Sequence, residues 1–320
     1  QEGNNVEVIG IRGNFDNAQS GVKKIFGDIE FKKELKNRGF LLSSANSINI
    51  GRLVPQIVYY FYGYFDLVNK QKIKEGNEIN IVVPTGNFGN ILAAYYSKRM
   101  GLPIGKLICS SNENNVLTDF LNTGVYDKRR DLILTESPSM DILISSNLER
   151  LIFEANNRDA EKTKKLMEEL NENGVYSISN ESRKFLKDFY GNYADTKEVY
   201  KAIKEVYEKE NYLMDTHTAV GYVVLNKYKN ETGDNRQALI VSTASPYKFP
   251  RSICRALGLD VSNKNDFEVL KLLNEYTNIE IPNNLKGLDV KKVIHNKVCN
   301  KEKMKESLLE FLKENKNWLR

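Results

Sequence analysis

A glycine-containing loop after an apolar run is the part of this sequence best suited to chemistry. The run Ile79–Val83 is followed by Pro84-Thr-Gly-Asn-Phe-Gly-Asn90, and a helical pattern begins directly after it. Glycines let a backbone approach a ligand closely, and the unpaired N–H groups at a helix start attract anions. The sequence therefore predicts a phosphate site at Gly86–Asn90. An ordinary strand-to-helix connection is the alternative.

The loop does not match either of the commonest phosphate motifs. It lacks the Gly-x-Gly-x-x-Gly spacing of dinucleotide-binding proteins and the Gly-Lys-Ser/Thr of nucleoside-triphosphate loops. The remaining interpretation is a phosphate held mainly by main-chain N–H groups and small side chains, as a cofactor phosphate is.

Three further segments place polar side chains beside apolar elements. Ser43-Ser-Ala-Asn-Ser-Ile-Asn49 precedes an apolar helix that carries Arg52 in its first turn, and it could bind a carboxylate or phosphate or simply cap the helix. Met214–Gly221 contains His217, for which a structural hydrogen bond is the alternative to a chemical role. Ser242–Phe249 follows an apolar strand, at the strand end where ligands of open α/β sheets bind.

The elements that must position these segments alternate between strands and helices from residue 79 onward. Such alternation predicts a parallel sheet covered by helices on both faces. The predicted strands and helices are, in order, 79–83, 90–100, 106–110, 115–121, 140–155, 238–242 and 253–257. Residues near 160–212 are predicted to be charged and helical, without a strand.

Before residue 79 the sequence predicts a core strand at Val6–Ile11 and a buried amphipathic helix at Ile48–Val68. The apolar face of that helix is expected to consist of Leu53, Ile57, Val58, Phe61 and Phe65. The helix also carries charged residues, so it does not qualify as a membrane span.

Composition argues against several classes of protein. The 320 residues are 41% hydrophobic, enough for one large or two modest domains. The net charge of +5 is spread along the chain without an arginine-rich arm, so neither a nucleic-acid nor a membrane partner is expected. Three distant cysteines indicate free thiols in a reducing compartment, hence a cytoplasmic location. Two histidines leave no His-rich metal site.

Five motifs in order make the chain resemble threonine synthase, a pyridoxal-phosphate enzyme of the tryptophan-synthase-β-like fold. They are Gly13-Asn-Phe-Asp-Asn-Ala-Gln19, Ser44-Ala-Asn-Ser-Ile-Asn49, Pro84-Thr-Gly-Asn-Phe-Gly-Asn90, His217-Thr-Ala-Val-Gly221 and Thr243-Ala-Ser-Pro-Tyr-Lys-Phe249. The resemblance covers essentially the whole chain and implies an α/β fold of type II, with a parallel-rich sheet flanked by helices. It also implies a remainder of a small domain at 1–75 and a large cofactor-binding domain with additional helices at 76–320.

The resemblance implies roles for particular residues. The cofactor, pyridoxal 5'-phosphate, is expected to meet Gly86, Asn87, Phe88, Gly89 and Asn90 with its phosphate and Thr243 with its ring nitrogen. The substrate is expected to meet Ser44, Asn46, Ser47, Asn49 and Arg52. The implied reaction converts O-phospho-L-homoserine and water to L-threonine and phosphate, in a monomer or homodimer and without a metal.

One part of the family pattern is missing. The Schiff-base lysine of the family lies in a Phe-Lys-Asp motif, which this sequence does not contain. Phe185-Leu-Lys-Asp188 is superficially similar but follows the phosphate loop instead of preceding it, so Lys187 is interpreted as a solvated helix residue. With the start at Gln1 close to a predicted strand, this favours an N-terminally truncated fragment that is inactive alone. The alternatives to a threonine synthase are a phospholyase that releases 2-oxobutyrate and an inactive binding module.

Overall fold

The computed structural model describes residues 6–13 and 15–314. Asn14, in the first of the five motifs, lies outside the described residues. The chain divides into two compact units, residues 1–44 with 284–320 and residues 45–283. The predicted boundary between residues 75 and 76 falls inside the second unit, so the division into domains 1–75 and 76–320 stays a prediction. No helix of the described residues is long and apolar enough to cross a membrane.

The described residues form short strands and longer helices. The strands are β1 (Gly10–Arg12), β2 (Ile79–Pro84), β3 (Ile104–Ser111), β4 (Val125–Asp127), β5 (Val175–Ser177), β6 (Phe189–Tyr193), β7 (Ala238–Ile240) and β8 (Val298–Asn300). The α-helices are α1 (Phe15–Gly27), α2 (Ile29–Asn37), α3 (Ile50–Leu53), α4 (Ile57–Asn69), α5 (Gly89–Arg99), α6 (Val116–Thr123), α7 (Leu148–Ala155), α8 (Ala160–Asn173), α9 (Asn180–Phe185), α10 (Thr196–Glu210), α11 (Thr216–Thr232), α12 (Pro250–Ala256), α13 (Asp266–Thr277) and α14 (Met304–Glu314).

The first unit contains the parallel pair β1–β8 and the helices α1, α2 and α14. Asp28 caps α2 by accepting a hydrogen bond from Phe31 N at 2.8 Å, and it pairs with Lys305 at 2.6 Å. Strand β1 has a single neighbouring strand and is exposed at both of its ends. The prediction of a core strand at Val6–Ile11 is therefore wrong.

Four parallel strands in the order β6-β3-β2-β7 form the centre of the second unit. Every residue of β2 is buried, as expected for a parallel strand with helices on both faces. Ile81 and Val83 pack into the core with α5, whereas Val82 and Pro84 face Gly221 of α11 on the other side of the sheet. The predicted parallel α/β architecture is confirmed.

The stretch 160–212 differs from its prediction because it contains two strands. Strand β6 joins the central sheet beside β3, with Phe189 opposite Leu107, and β5 pairs with β4 in a separate antiparallel pair. Both strands are short and lie between strongly charged helices. A run of three to five residues gives too little periodicity to be recognised in that setting.

The predicted helix 48–68 consists of three consecutive pieces: α3, a 3₁₀ turn at Val54–Gln56, and α4. Its buried side chains differ from the predicted apolar face, since Val58 is 63% exposed and Phe65 is 44% exposed. The fully buried side chains are Leu53, Tyr60 and Tyr64. The two tyrosines can lie inside because their hydroxyls donate hydrogen bonds within the protein.

The predicted helix 140–155 is helical only in its second half. The chain makes a 3₁₀ turn at Pro138–Met140, runs irregularly through 141–147 and enters α7 at Leu148. Asp141 stabilises the irregular part, because its buried carboxylate accepts hydrogen bonds from Asn112 Nδ2 at 2.7 Å and Asn114 Nδ2 at 3.0 Å. Tertiary hydrogen bonds therefore replace the helical ones that the sequence pattern predicted.

The three cysteines differ in burial, which predicts an order of thiol reactivity. Burial raises the pKa of Cys109 to about 12 and that of Cys254 to about 11, whereas Cys299 on β8 is only half-buried. Because the thiolate is the reactive form, we expect iodoacetamide at pH 8 to modify Cys299 first. Mass spectrometry of peptides checks this order. Modification of Cys109 in the folded chain as fast as Cys299 would contradict it.

Candidate anion-binding site

The glycine loop turns the chain from β2 into α5 at the carboxyl edge of the central sheet. Thr85 N donates to Ser110 O at 2.9 Å, and Thr85 Oγ1 donates to Val83 O at 2.6 Å. Phe88 stands at the N-cap of α5 with a left-handed φ of 62°, a conformation that costs a non-glycine residue about 1–3 kcal/mol. Its buried ring lies 5.9 Å from that of Phe189, so packing maintains the conformation.

The start of α5 offers main-chain donors to a ligand. Leu92 N donates to Phe88 O at 3.0 Å, as the first hydrogen bond of the helix. The N–H groups of Gly89, Asn90 and Ile91 therefore have no acceptor within the helix, and the positive end of its dipole lies at the same place. This geometry favours an anion.

Both asparagine side chains of the loop are occupied by protein groups. Ser146 Oγ donates to Asn87 Oδ1 at 2.9 Å, and Tyr60 Oη donates to Asn90 Oδ1. Tyr60 Oη also lies 2.9 Å from Asn90 O. The side-chain oxygens of Asn87 and Asn90 thus accept hydrogen bonds from protein groups that hold the loop.

The two glycines of the loop lie close to other segments. A Cβ atom on Gly86 would lie 3.0 Å from Ser139 O and 3.4 Å from Met140 Cα, a tight fit. A Cβ atom on Gly89 would lie 2.6 Å from Ser47 Cβ and closer still to Ser47 Oγ. A side chain at Gly89 therefore requires Ser47 or the start of α5 to move.

Residues 145–150, here called the bridge segment, stabilise the glycine loop by donating hydrogen bonds to its main chain. Ser145 Oγ donates to Gly86 O at 2.8 Å, and Asn147 donates to Asn87 O through N at 3.1 Å and through Nδ2 at 2.8 Å. Prediction of one continuous helix concealed this segment. The run Ser145-Ser-Asn147, typical of turns and helix caps, is the signal that could have revealed it.

His217 makes structural hydrogen bonds beside the loop. Buried Asp215 accepts from His217 Nδ1 at 3.1 Å and from Thr218 Oγ1, and His217 Nε2 accepts from Ser139 N at 3.3 Å. These partners assign the proton to Nδ1 of a neutral ring. Burial opposes ionisation of Asp215, but the hydrogen bonds from His217 and Thr218 lower its pKa. His217 thereby holds Ser139 against Gly86.

Four of the five predicted substrate residues, all except Ser44, lie in the turn before α3, residues 45–49, here called the substrate turn, and in α3 itself. Asn46 Oδ1 and Asn49 Oδ1 each accept from the N–H two residues further on, at 3.0 and 2.9 Å. The N-cap of α3 is Asn49, the last residue of the segment 43–49. Arg52 is exposed, and its Nε donates to Ala45 O at 3.0 Å.

The structure brings one of these residues against the glycine loop. Ser47 is half-buried, and its Oγ accepts from Asn147 Nδ2 at 3.0 Å. Ser44 belongs to the other unit and is half-buried, and Thr243 is exposed just beyond β7. The roles of Ser44 and Thr243 stay predictions.

Lys248 lies beside the glycine loop, and Lys187 lies at the opposite edge of the sheet. Lys248 Nζ donates to Ser139 Oγ at 3.3 Å and has no carboxylate within salt-bridge distance among residues 6–13 and 15–314, so it adds positive charge beside Gly86. Lys187 is exposed in a 3₁₀ turn, not a charged helix, immediately before β6. It therefore lies at the amino edge of the parallel sheet, opposite the edge that carries the loop.

These features define the class of protein. A parallel-rich sheet flanked by helices, with a glycine loop entering a helix at its carboxyl edge, is the architecture of fold type II pyridoxal-phosphate enzymes.

Comparison with known proteins narrows the class to a family. Residues 218–305 match the family model described as "Threonine synthase, C-terminal". The chain is 42% identical over 272 residues to Threonine synthase-like 1 of Homo sapiens, covering 84% of this chain and 36% of that protein. It is 38% identical over 268 residues to Threonine synthase of Saccharomyces cerevisiae, covering 79% of this chain and 51% of the relative.

A crystal structure of pyridoxal-phosphate-bound threonine synthase from Brucella melitensis matches the fold with a TM-score of 0.77 at 35% identity. The match covers 97% of this chain and 60% of that chain. The chain belongs to the threonine synthase family. It spans about half the length, or less, of the curated relatives described here.

Proposed function

We propose that this chain supplies the cofactor-phosphate and substrate-binding parts of a threonine synthase. The reaction is the conversion of O-phospho-L-homoserine and water to L-threonine and phosphate. The observation that carries the proposal is the glycine loop, which presents main-chain donors at the start of α5 and lies directly against Ser47. Two phosphates, one from the cofactor and one from the substrate, are thereby accommodated at neighbouring positions.

Pyridoxal phosphate fits the residues present, because the N–H groups of Gly89, Asn90 and Ile91 at the start of α5 have no acceptor within the helix. The amides of Gly89 and Asn90 hold its phosphate, and Lys248 adds charge nearby. Thr243 meets the ring nitrogen with a hydroxyl, which need not keep that nitrogen protonated. The cofactor, when bound, supplies the electron sink of the reaction, and the chain binds and orients it.

The substrate phosphate is received by the substrate turn and Arg52. Nε of Arg52 is used by Ala45 O, whereas no protein acceptor of its two Nη groups is found in the described residues. A guanidinium with both Nη groups available suits a phosphate, which it binds through parallel hydrogen bonds. Asn46 and Ser47 complete the polar surface of this turn.

The reaction also requires a lysine that bonds to the cofactor and moves protons. The Phe-Lys-Asp motif that carries this lysine in the family does not occur in the 320 residues. Neither Lys187 nor Lys248 stands in such a motif. We therefore expect this chain alone to bind pyridoxal phosphate without turning over substrate.

Replacing Arg52 by alanine tests the assignment of the two phosphates. We expect Arg52→Ala to weaken binding of O-phospho-L-homoserine at least tenfold, because charge-assisted hydrogen bonds contribute about 1.5–3 kcal/mol. Binding of pyridoxal phosphate should change less than about twofold, a difference below 1 kcal/mol. Calorimetry with each ligand alone measures both dissociation constants, and Asn46→Ala should show the same selectivity.

The matched control is Arg129→Ala, which removes an exposed arginine paired with Asp127 at 2.8 Å. It should leave both dissociation constants unchanged. Equal weakening of both ligands by Arg52→Ala would count against the assignment. Failure of the unchanged chain to bind pyridoxal phosphate would reject the proposed function itself.

A phospholyase that releases 2-oxobutyrate is the second candidate. It is favoured by the 42% identity to a protein named Threonine synthase-like 1 rather than threonine synthase. Both reactions use the same cofactor and the same substrate phosphate, so binding does not separate them. Product analysis does, once the chain is supplied with the lysine-bearing segment: threonine supports the first function and 2-oxobutyrate the second.

A further inference from the structure

The guanidinium of Arg150 donates hydrogen bonds to the main chain of the substrate turn and to the side chain of Asn147. Nη2 donates to Ile48 O at 2.8 Å, and Nη1 donates to Ser47 O at 3.3 Å and to Asn147 Oδ1. No carboxylate lies within salt-bridge distance of Arg150 in the part of the chain that is described. The forked guanidinium therefore fixes a main-chain segment that lies 102 and 103 positions earlier in the sequence.

Asn147 connects the same turn to the glycine loop. Its side chain is fully buried, and Nδ2 donates to Ser47 Oγ at 3.0 Å and to Asn87 O at 2.8 Å. All polar atoms of this amide are used, since Oδ1 accepts from Arg150. The bridge segment consequently holds the substrate turn and the glycine loop in one arrangement.

These contacts leave the Ser47 hydroxyl proton without a protein acceptor among the described residues. A serine hydroxyl has one donor and two acceptor positions. Because Asn147 donates to Ser47 Oγ, an acceptor position is filled and the proton remains to be donated elsewhere. Among the described residues no protein acceptor for it is found. Ser47 Oγ also lies next to Gly89, where the helix dipole favours negative charge.

We propose that Arg150 is a positioning residue for a phosphorylated substrate. By fixing the main chain at Ser47 and Ile48, together with Asn147, it presents the Ser47 hydroxyl as a donor to a phosphate oxygen. Arg150 itself does not contact that phosphate. The inference rests on the proposed function, because it places a substrate phosphate at the substrate turn.

The test compares Arg150→Ala and Arg150→Lys with a control, Arg158→Ala. Arg158 is an exposed arginine that pairs with Glu154 at 3.1 Å, so replacing it removes one positive charge but none of the hydrogen bonds to the substrate turn. Calorimetry of the full chain measures binding of O-phospho-L-homoserine and of pyridoxal phosphate separately. Arg150→Ala is expected to weaken the first about tenfold and the second less than about twofold, with Arg150→Lys between them and Arg158→Ala unchanged.

Two further readouts separate positioning from general damage. Millimolar methylguanidinium is expected to restore O-phospho-L-homoserine binding by Arg150→Ala, because it can occupy the vacated site. Hydrogen exchange followed by mass spectrometry should be faster in the peptide 46–52 of this variant. The peptide 79–84, which contains β2, should exchange as in the unchanged chain.

The outcomes distinguish this inference from the proposed function. Unchanged O-phospho-L-homoserine binding by Arg150→Ala, or equal loss of both ligands without rescue, overturns the inference alone. If the unchanged chain does not bind O-phospho-L-homoserine, the proposed function fails first. The exchange measurement then decides the positioning role, which is overturned if the peptide 46–52 exchanges at the same rate in both proteins.

Discussion

Replacing Gly89 by alanine is expected to weaken binding of pyridoxal phosphate about tenfold. The new Cβ would lie 2.6 Å from Ser47 Cβ, well inside the contact distance of two carbon atoms, so the substrate turn or the start of α5 must move. Overpacking of this kind costs about 1–3 kcal/mol, and about 1.4 kcal/mol corresponds to a factor of ten. Equilibrium dialysis with pyridoxal phosphate measures the change.

Two variants show whether the collision is the cause. Gly27→Ala is the matched control, because no atom lies within 4 Å of a Cβ placed there. Adding Ser47→Gly to Gly89→Ala removes both colliding atoms of Ser47 and should restore much of the affinity. Undiminished binding by Gly89→Ala would refute the close packing, and a double variant as weak as Gly89→Ala would refute the collision with Ser47.

Replacing Asp215 by alanine is expected to lower the free energy of unfolding by about 3 kcal/mol at pH 7. The buried carboxylate accepts from His217 N at 2.9 Å, from His217 Nδ1 and from Thr218 Oγ1. His217 N and Nδ1 lose this buried acceptor, at about 1–3 kcal/mol for each unsatisfied group before relaxation, whereas Thr218 Oγ1 also lies 3.1 Å from Ser242 Oγ. Urea unfolding followed by circular dichroism measures the difference.

The pH dependence of that difference has a definite sign. The pKa of Asp215 is lowered in the folded chain, so ionised Asp215 stabilises the fold fully above the unfolded-state pKa of about 4. This stabilisation is lost as the pH falls through the lower, folded-state pKa. The gap between the unchanged chain and Asp215→Ala should therefore shrink below about pH 4.

Asp131→Ala, which removes an exposed carboxylate, serves as the control and should unfold like the unchanged chain at pH 7. A gap for Asp215→Ala that stays constant down to pH 2 would show that the ionised carboxylate is not the stabilising species.

Local patterns in the sequence were sufficient for the centre of the fold. The apolar run at Ile79–Val83 and the helical pattern after Asn90 predict β2 and α5, because each signal is contained in one short stretch. Strand β6 could not be predicted in this way, since Phe189–Tyr193 acquires its strand partner only from the distant β3. The burial of Tyr60 and Tyr64 in α4, in place of Val58 and Phe65, likewise depends on where the two tyrosine hydroxyls find partners.

The candidate site likewise combines features that short stretches of sequence predict with features that depend on tertiary contacts. The prediction of an anion site at Gly86–Asn90 is local and rests on residue types alone. The contact of Ser47 with Gly89 and the role of Arg150 depend on tertiary packing between segments that no short window contains. Asn147 lies in a stretch that the sequence pattern predicts to be helical. That prediction gives no indication that its side chain connects the substrate turn, the glycine loop and Arg150.

The bridge segment also dictates when the site forms during folding. Its hydrogen bonds from Asn147 close chain loops of 60 residues to Asn87 and 100 residues to Ser47. The entropy of closing such loops must be overcome before the contacts stabilise anything, so neighbouring elements such as β2 and α5 assemble first. In a partly folded chain, β2 and α5 therefore meet before the substrate turn is held against the glycine loop. A bound phosphate stabilises the state in which these hydrogen bonds are formed, and so shifts partly folded molecules towards that state.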